Sequence, residues 1–168
     1  MEPFGTRPIQ NEAQLRLALE HIHFACHALC MQILNTYLPV AGNIGIFCHD
    51  EAEYIRLTKI REILADPSKN VYGKYYKLYN PIIVPAKETI PARTYTYLYI
   101  RKPDSNKPHI GDLDFYLESK AFTELKQYVS GGSVFGARLL PNRPDLDLIE
   151  LYDPNIDALG YIGDKLWK

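Results

Sequence analysis

The segment NIGIFCHDEAEYIRLTKI, residues 43–60, has a counterpart in HIGDLDFYLESKAFTELK, residues 109–126. Each opens on a short run with β-strand character and passes into a stretch of helical spacing, so that Ile44-Gly45 falls on Ile110-Gly111 at a constant offset. Further on, YLYIRKPD and LIELYDPN align at Pro103 and Pro154. Strand, helix and strands therefore recur in the same order. A duplicated βαββ(β) unit accounts for this, because a sheet with a helix on one face leaves its other face uncovered until a second copy joins it. The expected fold class is α+β: two modules, 43–103 and 109–163, with mixed or antiparallel sheets, in a single domain behind a long N-terminal helix.

That helix is read over residues 11–37, where Leu15, Leu19, Ile22, Cys26, Leu29 and Ile33 recur at spacings of four and three. A second apolar set, Leu17, Phe24, Ala28 and Met31, lies on nearly the opposite side and predicts cover on two faces, the outer one by a second copy in a homodimer. In the next helix, 49–64, Asp50 and Glu53 form a capping-box pattern. ADPSKN closes it. Strands are expected within 72–85 and 93–103, then from His109 onward, and a helix follows with Ser119 as N-cap and Gly131-Gly132 as its stop. VFGARLLP, LDLIELYDP and ALGYIG supply the last strands.

Nineteen basic residues stand against 20 acidic ones in 168, so no positive field exists to gather nucleic acid. The apolar content, 46%, is ample for a core of this size. The three cysteines, Cys26, Cys30 and Cys48, are read as reduced thiols of a cytoplasmic protein. Residues 1–14 lack the pattern of a secretion signal, and no segment is read as a membrane span. Tyrosine is enriched, with 13 copies, which suits a pocket wall or an interface as well as a core.

The His-Ile-Gly strand opening, Gly136-Ala137-Arg138, and Ile149-Glu150-Leu151 beside Asp153-Pro154 resemble the vicinal oxygen chelate superfamily, the glyoxalase-like proteins. The resemblance covers roughly residues 43–163 and implies two βαβββ modules curled around a shared cleft. It also implies a divalent metal held by His109 and Glu150, with Asn43 at the place equivalent to His109 and Tyr99 opposite Glu150. The implied chemistry is Lewis-acid polarisation of a vicinal oxygen pair by the ion, with Glu150 moving a proton.

Read from the residues themselves, alternation puts Asp112 and Asp114 on one face with Ile110 and Tyr116, and Gly111, Leu113, Phe115 and Leu117 on the core face. Two solvated aspartates are the plain reading; the Asp-x-Asp pattern also resembles nucleotidyltransferases, without their upstream Gly-Ser turn. The strand RTYTYLYIR puts Tyr95, Tyr97, Tyr99 and Arg101 on one side, a row suited to an anionic or aromatic small molecule, or else to cross-strand packing. On the first helix, Glu20, His23, His27 and Cys30 share a narrow face, a zinc-type set that doubles as a polar edge. His49 is unassigned once Asp50 and Glu51 are explained by capping. The expectation is a small-molecule-binding cleft; the alternative is a non-catalytic scaffold that assembles through the first helix.

Overall fold

The computed structural model describes residues 8–69, 74–140 and 147–166, with nothing stated for the side chains of residues 68–69. Residues 1–7, part of the stretch read for a signal, and 72–73, part of an expected strand, lie outside the described residues. Helix α1 runs Glu12–Leu34, capped by Asn11, whose side chain accepts from the Gln14 amide at 2.9 Å, and stopped by Asn35 in the left-handed region. The remaining elements are β1 (Val40–Phe47), α2 (Glu51–Leu64), β2 (Ala65–Lys69), β3 (Tyr76–Val84), β4 (Arg93–Arg101), β5 (Gly111–Tyr116), α3 (Ser119–Ser130), β6 (Ala137–Leu139), β7 (Ile149–Leu151) and β8 (Ala158–Gly163).

The strands form one mixed sheet in the order β2-β3-β4-β1-β5-β8-β7-β6. In each half the first strand runs parallel to the fourth, β1 with β4 and β5 with β8, and the middle strands add antiparallel toward the edge. The halves meet edge to edge where β1 and β5 pair antiparallel. The chain is thus a duplicated βαβββ unit behind an N-terminal helix. All three helices cover one face, since a single apolar cluster joins Leu15, Leu19 and Ile22 of α1, Leu57 of α2 and Phe122 and Val129 of α3 to Ile44, Ile46, Leu98, Leu113 and Ile162 of the sheet.

Four details depart from the sequence reading. ADPSKN is not simply a stop: its first five residues form β2, and Pro67 is tolerated there because β2 is an edge strand. Ser119 does not cap α3; Glu118 stands at the cap position, and Ser119 Oγ is bonded to Asp164 instead. Glu53 does not close the capping box on Asp50. Its amide does bond Asp50, but its carboxylate turns to the His49 ring and the Ile9 amide, tying the chain ahead of α1 to the start of α2. Finally, α1 is long and apolar enough by length and composition to cross a membrane, contrary to expectation. Its burial against the sheet explains that apolarity: ten of its residues, including the expected stripe from Leu15 to Leu29, are inside. Of the second stripe, Leu17 is exposed, while Phe24 packs on the core with the Lys87 ammonium over its ring.

The repeat exists, but its register is not the one the Ile-Gly match suggests. Gly45 faces the side without helices, where a Cβ would meet Asp112 Oδ1 and Tyr99. Gly111 faces the opposite side, where a Cβ would meet Ile22 of α1. Two positions on opposite faces cannot be equivalent, because an odd slip along a strand inverts every side chain. Matching the ends of paired strands, Phe47 and Arg101 with Tyr116 and Gly163, makes Asn43 equivalent to Asp112, Gly45 to Asp114 and Tyr99 to Tyr161. The first half's β4 therefore answers to β8, not to the β7 segment that carries Glu150.

Candidate functional site on the helix-free face

Strand parity assembles on the uncovered side Asn43 and Gly45 from β1, Tyr97, Tyr99 and Arg101 from β4, Asp112 and Asp114 from β5, Tyr161 from β8, and Glu150 from β7. No helix packs on this face among the described residues, yet its centre is shut away from solvent. Asn43 is 0% exposed, and Asp112 and Asp114 are each 7% exposed. Phe47, Leu148, Leu159 and Tyr161 make a small apolar cluster beside them. The two aspartates do share a face, as read, but they are buried rather than solvated.

Asn43 and Asp112 are the unusual members. Neither the oxygen nor the nitrogen of the Asn43 side chain has a hydrogen-bond partner among the described residues, and the same holds for Asp112 Oδ1. Asp112 leans across Gly45, where a Cβ would lie 2.4 Å from its Oδ1; glycine is what leaves the carboxyl its place. On the neighbouring strands Asn43 pairs with Tyr97 and Gly45 with Asp112. Burial first, and the negative charge of Asp114 second, push the Asp112 carboxyl well above the ordinary carboxylate range. Lys74, Arg101 and Lys107 pull it back only in part. A buried amide and a carboxyl able to exchange a proton near neutrality thus stand on one surface.

Glu150, proposed as a metal ligand and proton carrier, is already saturated. Arg138 Nε donates to Oε1 at 2.7 Å, Lys107 Nζ to Oε2 at 3.2 Å, and the Tyr161 hydroxyl to Oε2 at 3.0 Å. Desolvation opposes its ionisation, but Arg138, Lys107 and Tyr161 outweigh it and hold the carboxyl below its usual range. His109 lies within electrostatic reach of Glu150 and Asp157, and its buried Nδ1 has no hydrogen-bond partner among the described residues. Burial, with Lys107 next, depresses its pKa. Among the described residues, no three His, Cys, Asp or Glu side chains are placed to hold a metal ion.

The row of phenols is broken. Tyr97 and Tyr99 share the site face, but Tyr95 is turned into the helical core, where its hydroxyl meets His23 Nδ1 at 2.7 Å. The cause is an irregularity: the β3–β4 register shifts between Lys77 and Ile82, and buried positions in β4 fall at Tyr95 and then Leu98, three apart. Arg101 stays at the rim, bonded to Asp104 at 2.7 Å and stacked over Phe47. The zinc-type set on α1 does not converge. Glu20 is exposed, Cys30 Sγ is bonded to the Thr36 carbonyl, and His27 Nδ1 donates to the His23 carbonyl. Cys48 is held as a thiol, its pKa pushed up to about 12 by burial and then by Glu53, and the neighbouring His49 ring is engaged by Glu53.

A separate cavity of about 560 Å³ lies between Gln32–Leu34, Ser133–Gly136 and Tyr152–Pro154. Ile33, Gly136, Asp153 and Pro154, named in the sequence reading for packing or resemblance, line it, and none of the candidate ligand, metal or catalytic residues does.

No family model and no curated protein matches this chain. Among solved structures it is similar to the structural-genomics protein EC4020, at 15% identity and a TM-score of 0.59, over 96% of this chain and 95% of that one. At that identity the likeness shows the fold alone: α+β, three helices and an eight-stranded mixed sheet.

Proposed function

We propose that the helix-free face binds a small polar organic molecule at the seam between the two halves, and that Asn43 and Asp112 are the groups it engages. One observation carries this reading: among the described residues a wholly buried amide and, on the same surface, a buried carboxyl oxygen both lack a hydrogen-bond partner. An unmet buried polar group costs about 1–3 kcal/mol, and such a cost is kept where it serves a ligand. Tyr97 and Tyr99 supply ring faces at the wall, and Asp112 is the residue suited to hold or release a proton. The duplicated βαβββ order supports the resemblance to glyoxalase-like proteins, in which a cleft lies between such modules. The divalent ion of that resemblance does not fit here through His109 and Glu150, because both oxygens of Glu150 are taken by Arg138, Lys107 and Tyr161. No step is therefore assigned to a metal.

The test is a screen of a general fragment library against ¹⁵N-labelled protein, read at the Asn43 side-chain amide. Fragments that bind are expected to shift that signal and to raise the melting temperature, with the gain reduced in Asn43→Leu and Tyr97→Ala. A screen whose binders leave the Asn43 signal in place and stabilise both variants as well as the parent protein sinks the proposal.

A further inference from the structure

We infer that the molecule bound on the helix-free face carries a cis-amide edge, an N–H and a C=O side by side as in a lactam, an imide or a primary carboxamide, and that this edge pairs with the Asn43 side chain. This rests on the reading of that face as a ligand site and adds the chemical class of the ligand. Asn43 is wholly buried, and among the described residues neither its Oδ1 nor its Nδ2 has a hydrogen-bond partner. An acceptor and a donor are thus left open together, whichever way the amide is turned. Most partners meet only half of that need. A ketone or an ester leaves Oδ1 unmet, a carboxylate sets oxygen against oxygen, and a hydroxyl faces both atoms only through bent bonds. An ordinary peptide unit is trans, with its N–H and C=O on opposite edges, and offers them one at a time. A cis amide presents both on one edge, at the spacing of the asparagine's own donor and acceptor, and makes two parallel hydrogen bonds.

The strands leave a place for such a group beside Asn43. Along β1 the next position on this face, about 7 Å on, is Gly45, which has no side chain. The space above it is taken by the Asp112 carboxyl from β5: a Cβ on Gly45 would lie 2.4 Å from Asp112 Oδ1 and 3.3 Å from Tyr99 Cδ1. Asp112 Oδ1 has no hydrogen-bond partner among the described residues, so no bond from that oxygen fixes the carboxyl there. A rotamer change of Asp112 vacates the space over Gly45, next to Asn43 and against the Tyr99 ring, where a flat amide gains aromatic contact. Tyr97, opposite Asn43 on β4, borders the same place. Asn43 and Asp112 hold equivalent positions in the two halves, so a molecule lying between them meets an amide at one end and a carboxyl at the other. Burial and then Asp114 push the Asp112 pKa upward, while Lys74, Arg101 and Lys107 act in the other sense. The ligand class follows from the hydrogen-bond pattern of the amide, not from that balance of charge.

The probes are pyrrolidinone, N-methylpyrrolidinone and N-methylacetamide. The first has donor and acceptor on one edge, the second has lost the donor, and the third keeps both on opposite edges. Titrated into labelled protein, pyrrolidinone is expected to shift the Asn43 side-chain amide and to bind about tenfold more tightly than either of the others, each of which leaves one atom of a buried amide unmet. Asn43→Leu is expected to erase that preference. The ranking of the three probes in the unaltered protein serves as the second measurement if the variant folds poorly. Equal binding of pyrrolidinone and either comparison probe overturns the inference, and so does a preference that survives in Asn43→Leu. Silence of the Asn43 amide toward pyrrolidinone also overturns it, and the fragment screen then judges the parent proposal independently: binders of another class that move the Asn43 signal leave a ligand site without this chemistry.

Discussion

In the first half of the sheet Tyr75 lies against Tyr99, ring centroids 5.5 Å apart, with the Lys74 ammonium over both; in the second half the corresponding places hold Glu150 and Tyr161, joined by a 3.0 Å hydrogen bond. The strand register makes these positions equivalent, for Tyr99 answers to Tyr161, and Lys77 opposite Tyr97 brings Tyr75 to the place that Glu150 takes beside Tyr161. One half closes its flank with aromatic contact. The other closes it with charge, Arg138 and Lys107 converging on Glu150. At the centre the contrast repeats: Asn43 and Gly45 in the first half, Asp112 and Asp114 in the second. Duplication sets where side chains point and leaves their chemistry free. Because the halves differ, the helix-free face is polarised across the axis between them rather than symmetric.

The seam offers the largest effect. Gly111 and Gly45 face opposite sides of it, and the atoms that a Cβ would strike differ in kind. At Gly111 these are the Gly45 carbonyl oxygen at 2.1 Å and Ile22 Cδ1 at 2.5 Å, and the backbone of a central strand cannot step aside. Gly111→Ala is expected to cost about 3 kcal/mol or more in urea unfolding. Gly45→Ala strikes the end of a side chain, Asp112 Oδ1, and should cost about 1–2 kcal/mol while displacing the carboxyl. Equal costs would mean that Asp112 is held as firmly as backbone, and the contrast between the two sides of the seam would dissolve. Next in size is the flank. Glu150→Ala strands Arg138 and Lys107, but these side chains are 56% and 26% exposed and regain water, so about 2 kcal/mol is expected rather than the full cost of a dry orphaned charge. Tyr75→Leu in the aromatic flank should cost about 1 kcal/mol with no dependence on salt, whereas the Glu150 effect shrinks as salt rises.

Much of the fold was legible because it rests on local signals. The α1 stripe, the Asp50 cap, the β4 and β5 sequences and the doubled order of elements all follow from spacing and residue type. The register of the repeat was not. Ile44-Gly45 and Ile110-Gly111 match as letters, yet one glycine spares room for a carboxyl and the other for α1, a difference visible only once both faces are occupied. Tyr95 left the phenol row because an irregularity in pairing to β3, on a distant segment, turned it inward. The parity of Asp112 and Asp114 was right and their burial was missed, since nothing local tells a strand that its second face is also closed. Asn43 stood out only as a polar residue in the apolar run NIGIFC, and Glu150 as a charge between Ile149 and Leu151; their surroundings come from elsewhere in the chain.

The asymmetry at the centre has a pH signature. Asp112 is raised to about 7 in the folded chain against about 4 when unfolded, so its protonated form favours folding. That contribution is complete below about pH 4 and is lost as pH rises through about 7. His23 and His27, lowered to about 3 and about 4 chiefly by burial, act in the opposite sense: stability falls as pH drops from about 6.5 toward those values. The two trends overlap in the parent protein, so the difference between parent and Asp112→Asn is the informative curve. The variant should gain on the parent by about 1–2 kcal/mol between about pH 4 and about pH 8. A flat difference curve would mean that Asp112 is ionised at all these values and that the second half carries no protonated acid at the seam.

The smallest expected change is the most pointed, because its sign is unusual. Asn43→Leu keeps nearly the same shape and replaces an amide that lacks partners among the described residues with apolar surface. If the amide is held for a ligand, the substitution should raise stability by about 1 kcal/mol in urea unfolding and reduce the ligand-induced shift in melting temperature. Its counterpart in the second half, Asp112→Leu, should gain less, because it also removes the attraction of Lys74, Arg101 and Lys107 for the ionised fraction of that carboxyl. A loss of stability in Asn43→Leu would show that the amide is already satisfied inside the fold, and the two central positions would then differ in charge but not in purpose.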